Sequence, residues 1–188
     1  MMKRDECFRV LARHLTDEIV IAVYSSAFDW LELAPRALNY FSFGAMGIAS
    51  SHGLGLALGR PDKRILVLDG DGSLLMNLGT LVTIGAVAPK NLVHLLCRNG
   101  TYEANGSHPI PNAGVDFNGL ARAANYRVLH EFSALADFEA GIPEILKQEG
   151  PVFATLHLEK GALSPEFNYR RLDDPARRVA FRAALRGL

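Results

Sequence analysis

Apolar positions in this chain follow two alternating patterns. Residues 5–15 place Cys7, Phe8, Val10, Leu11 and Leu15 at helical spacing. Residues 18–23 form a short run rich in β-branched side chains, the mark of a strand buried on both faces. Residues 27–38 predict a helical segment broken by Pro35, and residues 39–43 a short strand. Residues 44–59 keep helical periodicity through small side chains. Gly53 and Gly55 cost helix stability there, so their value lies in close packing or backbone approach to a ligand. Residues 64–69 predict a second buried strand, 74–88 a helix ending before Pro89, and 91–97 a third strand. Residues 98–118 are polar and hold Gly100, Gly106, Pro109, Pro111 and Gly114. A loop of that length in a compact domain is functional or mobile. Helix is predicted over 117–124, strand over 126–129, helix over 133–148 with Ser133 as N-cap, and a last strand over 152–158. From about residue 161 follows a tail with Pro165, Pro175 and an arginine-rich amphipathic end over 176–185.

Strands alternating with helices, and strands that are continuous apolar runs, predict an α/β fold: a parallel sheet with helices on both faces. The 188 residues form one domain with a helical tail. Ligands in such sheets bind beyond the carboxyl ends of the strands. Two segments lie there, Asp69-Gly70-Asp71-Gly72-Ser73 and Arg98-Asn99-Gly100.

Charge and cysteine content narrow the classes. Lysine plus arginine equals aspartate plus glutamate, 20 each, so bulk electrostatics favours neither nucleic acid nor an anionic membrane as partner. Cys7 and Cys97 are far apart and neither sits in a Cys-x-x-Cys motif, which excludes a zinc knuckle or iron–sulfur ligand set; Cys97 reads as a buried small hydrophobe. No signal peptide is evident and no apolar run approaches a membrane span, so the default expectation is a soluble, cytoplasmic protein.

Gly70 and Gly72 bracket Asp71 where a strand is predicted to turn into a helix. Glycine lets the backbone approach a ligand, free N–H groups beyond the turn suit an anion, and an aspartate there can hold a Mg²⁺ bridging to phosphate oxygens. Such turns are also common without a ligand. Asn99 adds weight: it ends the next predicted strand, and neighbouring parallel strands place their carboxyl ends side by side. Asp71 and Asn99 are therefore expected to converge, offering oxygen ligands to a hard cation.

Together these residues resemble the binding motif of thiamine-diphosphate (ThDP) enzymes, which opens with Gly-Asp-Gly and closes with an asparagine at similar spacing. The resemblance is greatest to sulfopyruvate and phosphonopyruvate decarboxylases and runs from about Tyr40 to Tyr126. It includes Phe43-Gly44-Ala45-Met46-Gly47-Ile48-Ala49-Ser50-Ser51, Val67-Leu68-Asp69-Gly70-Asp71-Gly72, Leu78-Gly79-Thr80-Leu81, Pro109 and Asp116-Phe117. The chain departs from the pattern at Arg98, where many members have Asn, at Tyr24-Ser25-Ser26 in place of Thr-Gly, and at Gly106-Ser107-His108-Pro109 in place of Gly-Gly-Gln-Pro.

The resemblance implies thiamine diphosphate and Mg²⁺ as cofactors. It implies Asp71, the Asn99 side chain and the Thr101 carbonyl as Mg²⁺ ligands, with Gly70, Gly72, Ser73 and Tyr102 at the diphosphate. Gly44, Ala45 and Met46 would meet the aminopyrimidine, Met46 supporting its bent shape; alone, Met46 would read as a core methionine. The implied activity is decarboxylation of a small 2-oxoacid with an anionic tail. The glutamate that activates the pyrimidine comes in this family from a pyrimidine-binding domain. Only the diphosphate half is legible here, which implies a separate α-type subunit and self-association as well. A carboligase or transferase subunit and a non-catalytic regulatory subunit are the alternative readings.

His52 and His108 are the candidate catalytic histidines, His52 as a proton donor beside the cofactor segment or as a packing residue, and His108 with Asn105 as substrate contacts. Glu103 reads as a solvated loop residue and His94 and His157 as structural. Arg170, Arg171, Arg177 and Arg178 solvate a tail helix or touch a partner.

Overall fold

The computed structural model of the chain describes residues 1–161 and 168–187. Its centre is a six-stranded parallel sheet in the order β2-β1-β3-β4-β8-β7. The strands are β1 (Ile19–Val23), β2 (Asn39–Ser42), β3 (Ile65–Gly70), β4 (Leu92–Arg98), β7 (Val128–Phe132) and β8 (Val152–His157). A two-stranded antiparallel ribbon of β5 (Thr101–Tyr102) and β6 (His108–Pro109) stands apart from it. β1 is buried at all five positions and β4 at its first six, as their apolar runs require of strands covered on both sides.

Each sheet face has its own helical layer. On one face α1 (Arg4–His14), α2 (Tyr24–Leu33) and α7 (Leu135–Ile145) pack Cys7, Phe8, Phe28, Trp30, Phe138 and Ile142 onto Val20, Leu66, Leu68, Val93 and Leu95. On the other, α3 (Ala49–Gly59), α5 (Gly79–Val87), α6 (Phe117–Ala123) and α8 (Pro175–Gly187) pack Ala57, Leu81, Ile84, Phe117 and Phe181 onto Ile19, Ile21, Ile65, Val67 and Leu96. The period-two alternation of β3 and β4 thus feeds two cores from one sheet. Among the described residues no helix is long and apolar enough to cross a membrane.

Several predicted boundaries shift, each for a local reason. The helix expected from residue 44 begins only at Ala49, because Gly44 and Gly47 take positive φ, +96° and +86°, and hold the chain in a turn. The helix expected over 74–88 is two helices, α4 (Asp71–Leu75) and α5, separated at Met76–Leu78. Ser133 does not cap α7; Ala134 is the N-cap, without a side-chain hydrogen bond. Tyr126 is not in a strand but packs edge-on against Phe153 at a ring separation of 5.7 Å. The polar stretch after β4 is an ordered ribbon and a short 3₁₀ turn rather than plain loop. Gly53 proves to be a packing glycine: a Cβ there would lie 2.4 Å from Val67 Cγ2, whereas one at Gly55 would meet nothing within 4 Å. In the tail, α8 matches the amphipathic stretch, and Pro165 lies outside the described residues.

The strand order also fixes where a ligand belongs. From β1 the chain moves outward to β2, then returns to the other side of β1 to lay down β3 and β4. The order reverses between β1 and β3, and the crevice beyond their carboxyl ends is the switch point at which open α/β sheets bind ligands.

Candidate cofactor site

A concave site opens at that switch point. It is lined by Val23–Ser26 at the end of β1 and beyond, by Gly70–Ser73 at the end of β3 and beyond, and by Cys97, Asn99 and Thr101–Ala104 at the end of β4 and beyond; Met46 and Arg4 complete it. The β3–β4 register pairs Gly70 with Cys97, so the turns that follow leave the sheet together. The expected convergence of the turns carrying Asp71 and Asn99 is seen in a bond across them: Asp71 Oδ2 accepts from the Gly100 N–H at 2.7 Å.

Asp71 is 1% exposed, and its Oδ1 accepts from the Gly72 N–H at 2.8 Å. Burial pushes its pKa up, and the N–H groups of Gly100 and Gly72 only partly counter this. A buried carboxylate that hydrogen bonds alone do not fully stabilise is an apt place for a cation. Behind the turn, the equally buried Asp69 accepts from the Gly70 N–H at 2.9 Å and faces His94 Nε2 at 3.2 Å, a structural role for His94. Asn99 Oδ1 is drawn into an Asx turn by the Thr101 N–H at 2.9 Å and the Thr101 hydroxyl at 3.2 Å. Carboxylate, amide oxygen and backbone carbonyl make an all-oxygen donor set, which fits a hard divalent ion.

The phosphate end is built from small residues for identifiable reasons. A Cβ on Gly72 would come within 2.6 Å of the Tyr102 ring, so that ring can lie across the turn only over a glycine. Ser73 Oγ accepts from the Gly47 N–H at 3.1 Å, which leaves the hydroxyl proton free to donate to an anion. The Gly47 carbonyl in turn accepts from Asn77 Nδ2 at 3.0 Å. Two bonds therefore staple the Gly44-Ala45-Met46 turn to the Asp71 turn. Because α4 has a single turn, its dipole is small, so an anion here would depend on individual donors.

Sequence reasoning missed part of the wall. Tyr24 adopts φ +46°, a left-handed conformation costly for a tyrosine, at the end of β1. Ser25 and Ser26 are buried beside it, and Cys97 lines the site with its thiol pushed up to about 12 by burial. Arg4 and Glu103 were missed as well. Glu103 is not solvated: its side chain is 8% exposed and pairs with Arg4 at 2.7 Å. In the sequence, the Tyr24-Ser25-Ser26 part of this wall showed only as a departure from the family pattern directly after the strand run ending at Val23.

The candidate histidines fall outside this wall. His52 Nδ1 lies 3.1 Å from Ser42 Oγ and its ring packs edge-on against Tyr40, with burial holding its pKa down. His108 is exposed on β6, and Asn105 ends the 3₁₀ turn before it. Arg98 places its guanidinium 5.6 Å from the Phe117 ring centroid and donates to the Ala113 carbonyl. His157 faces Glu131 at 2.5 Å. In the tail, Arg171 pairs with Glu32, and Arg177 and Arg178 with Asp174 and Asp173.

Fold and site define a domain that presents a diphosphate cradle at the switch point of a parallel sheet. Residues 21–155 match the family described as thiamine pyrophosphate enzyme, C-terminal TPP binding domain, and the chain belongs to that family. It is 38% identical over 166 residues to the sulfopyruvate decarboxylase subunit beta of Methanothermobacter thermautotrophicus, covering 86% of this chain and 84% of that protein. It is 37% identical over 156 residues to the phosphonopyruvate decarboxylase of Streptomyces viridochromogenes, covering 82% of this chain but only 39% of that protein, so it spans about two fifths of that relative's length. A thiamin diphosphate-dependent enzyme from Mycobacterium smegmatis shares the fold with a TM-score of 0.72 at 19% identity, over 85% of this chain and 32% of that one.

Proposed function

We propose that this chain is the diphosphate- and Mg²⁺-binding subunit of a ThDP-dependent decarboxylase acting on a small 2-oxoacid with an anionic tail, of the sulfopyruvate or phosphonopyruvate type. The observation that carries the reading is Asp71: a buried carboxylate, bonded across to the turn after β4, with an amide oxygen and a backbone carbonyl at hand. Asp71, Asn99 and Thr101 hold Mg²⁺, while Gly70, Gly72, Ser73 and Tyr102 receive the diphosphate. Gly44, Ala45 and Met46 meet the pyrimidine end.

When bound, ThDP supplies the electron sink for decarboxylation. The chain's own residues bind and orient. The Gly47–Ser73 and Gly47–Asn77 bonds fix the distance between the pyrimidine turn and the metal turn, and so set the cofactor's span. Asp71 supplies negative charge that only a cation can balance in so buried a place. His108 and Asn105, on the exposed side of the ribbon, are where an anionic substrate tail would be met.

Among the described residues the wall of the site carries one glutamate, Glu103, and both its carboxylate oxygens are engaged, by Arg4 and by the Gly161 N–H. An activating glutamate supplied by a separate pyrimidine-binding subunit is part of the proposal. Coverage of 84% of a protein named a beta subunit supports the same division of labour. Self-association of the chain is part of the proposal.

Native mass spectrometry of the complex purified through this chain tests it. A heteromer carrying ThDP and Mg²⁺ that decarboxylates sulfopyruvate or phosphonopyruvate is the expected result. A loaded heteromer that instead joins the 2-oxoacid fragment to an acceptor would replace decarboxylase by carboligase. A species that takes up neither cofactor would end the reading.

A further inference from the structure

Arg4 is almost entirely buried, 4% exposed, and each of its guanidinium nitrogens has an acceptor. Nε donates to Asp29 Oδ2 at 2.6 Å, Nη1 to Glu103 Oε2 at 2.7 Å and Nη2 to the Gly161 carbonyl at 3.2 Å. Glu103 uses its other oxygen, Oε1, to accept from the Gly161 N–H at 2.8 Å. One ion pair thus grips both backbone polar groups of Gly161, a residue at φ +126°. It also ties together α1, which carries Arg4, α2, which carries Asp29, and the turn after β5, which carries Glu103.

The pair lies at the rim of the cradle, where Arg4 and Glu103 are both part of the wall. Arg4 is not a counter-charge for the diphosphate. Three of its five N–H donors are engaged within the fold, and with Asp29 and Glu103 the cluster carries two carboxylates for one guanidinium. Nor does a buried ion pair account for itself as a source of stability, since desolvation consumes most of the attraction. Burial by itself lowers the pKa of Arg4, but Asp29 and Glu103 more than offset this, so the guanidinium stays charged.

What the cluster does achieve is placement. Glu103 is two residues beyond Thr101 and next to Tyr102, whose ring covers Gly72. We propose that Arg4 and Glu103 are positioning residues, whose ion pair holds the Thr101–Glu103 stretch at the register that lets it complete the metal and diphosphate cradle, and links that stretch to the backbone at Gly161. The inference rests on the reading of Thr101 as a cofactor contact.

The test uses the complex purified through this chain. It combines titration calorimetry with Mg²⁺ and ThDP, turnover at saturating cofactor, and hydrogen exchange at the Gly161 amide. Arg4→Met should weaken cofactor binding on the order of ten-fold or more, as loss of a group supporting a metal ligand does. Turnover at saturation should change far less, and Arg4→Lys should recover part of the affinity. In the wild type the Gly161 amide should gain protection when Mg²⁺ and ThDP are added; in Glu103→Gln that gain should be lost. Glu103→Gln is the milder change and carries the test if Arg4→Met does not fold. Unaltered cofactor affinity in these variants would overturn the proposal. So would a joint fall of affinity and saturated turnover in Arg4→Met with no recovery in Arg4→Lys, because that pattern marks a residue needed only for the fold. A wild-type complex that binds no cofactor would instead strike at the proposed function, and is seen before any variant is made.

Discussion

Asp71 concentrates the chemistry of the site in one carboxylate. Its pKa is raised by burial, so between the ordinary carboxylate range and that raised value the folded chain binds more protons than the unfolded one. Without a cation, stability therefore falls as pH rises through that window, and the penalty persists above it. A bound Mg²⁺ removes the penalty. Asp71→Asn separates the two effects. It relieves the buried charge but leaves one of the Gly72 and Gly100 N–H groups with a poor acceptor, a loss of about 1 kcal/mol. The two act in opposite directions, so the cofactor-free variant should move less in melting temperature than either effect alone would move it. The wild type should gain about 2.7 kcal/mol with Mg²⁺–ThDP at a hundred times its Kd, and the variant should gain almost nothing. Thermal melts with and without cofactor check this; an equal gain in both would move the metal elsewhere. At this scale the sequence made the meeting of the Asp71 and Asn99 turns legible, because the carboxyl ends of neighbouring parallel strands lie side by side. It could not announce Tyr24, since a left-handed tyrosine leaves no mark in composition, nor the burial of Glu103, which depends on Arg4 from 99 positions away.

Elements were legible where periodicity alone decides them. The buried strands β1, β3 and β4 came through as apolar runs within a residue or so of their ends. Periodicity failed where backbone geometry overrides it. Residues 44–48 carry helix-compatible side chains but turn on two positive-φ glycines, and the 74–88 stretch breaks at Met76–Leu78 although its side chains stay apolar. The end of that stretch gives a test. α5 closes at Ala88 in the left-handed conformation, φ 50° and ψ 56°, with its N–H bonded to the Ile84 carbonyl. A non-glycine residue there costs about 1–2 kcal/mol, and the greater unfolded-state freedom of glycine returns roughly half of it. Ala88→Gly should therefore stabilise the chain by about 0.5–1 kcal/mol, a rise in Tm of a few degrees for a domain of this size. A lower melting temperature would mean that the Ala88 methyl packs in a way that outweighs the strain.

The whole molecule presents its cradle at one end of the sheet and an unusually neutral surface beside it. No aspartate, glutamate, lysine or arginine occurs between Arg36 and Arg60, or between Asp71 and Lys90. These stretches supply α3 and α5, which pack side by side and expose Leu58 at 59%, Val82 at 64%, Val87 at 44% and, just before α5, Met76 at 59%. Met76 adjoins Asn77, which donates to the Gly47 carbonyl in the turn beside the cradle. Exposed apolar side chains grouped in this way mark an interaction site. Its occupant under the proposed function is the pyrimidine-binding subunit, whose glutamate must reach the open side of the same cradle. The small residues Ser51, Gly55 and Gly59 along α3 would let a partner helix approach closely, and the missing charges spare it any desolvation of ions. Val82→Lys and Leu58→Glu put a charge where the partner would dry the surface, while both side chains stand in solvent in the isolated chain. Each should leave the unfolding free energy of the isolated chain within about 0.5 kcal/mol of the wild type, as surface substitutions do. Each should also cut co-purification of the partner sharply, with loss of turnover following the loss of partner rather than preceding it. A charged variant that still assembles fully would shift the interface to another face, and the groove that Tyr40 and Phe43 line with Phe181 of α8, at the edge strand β2, would be the next surface to mutate.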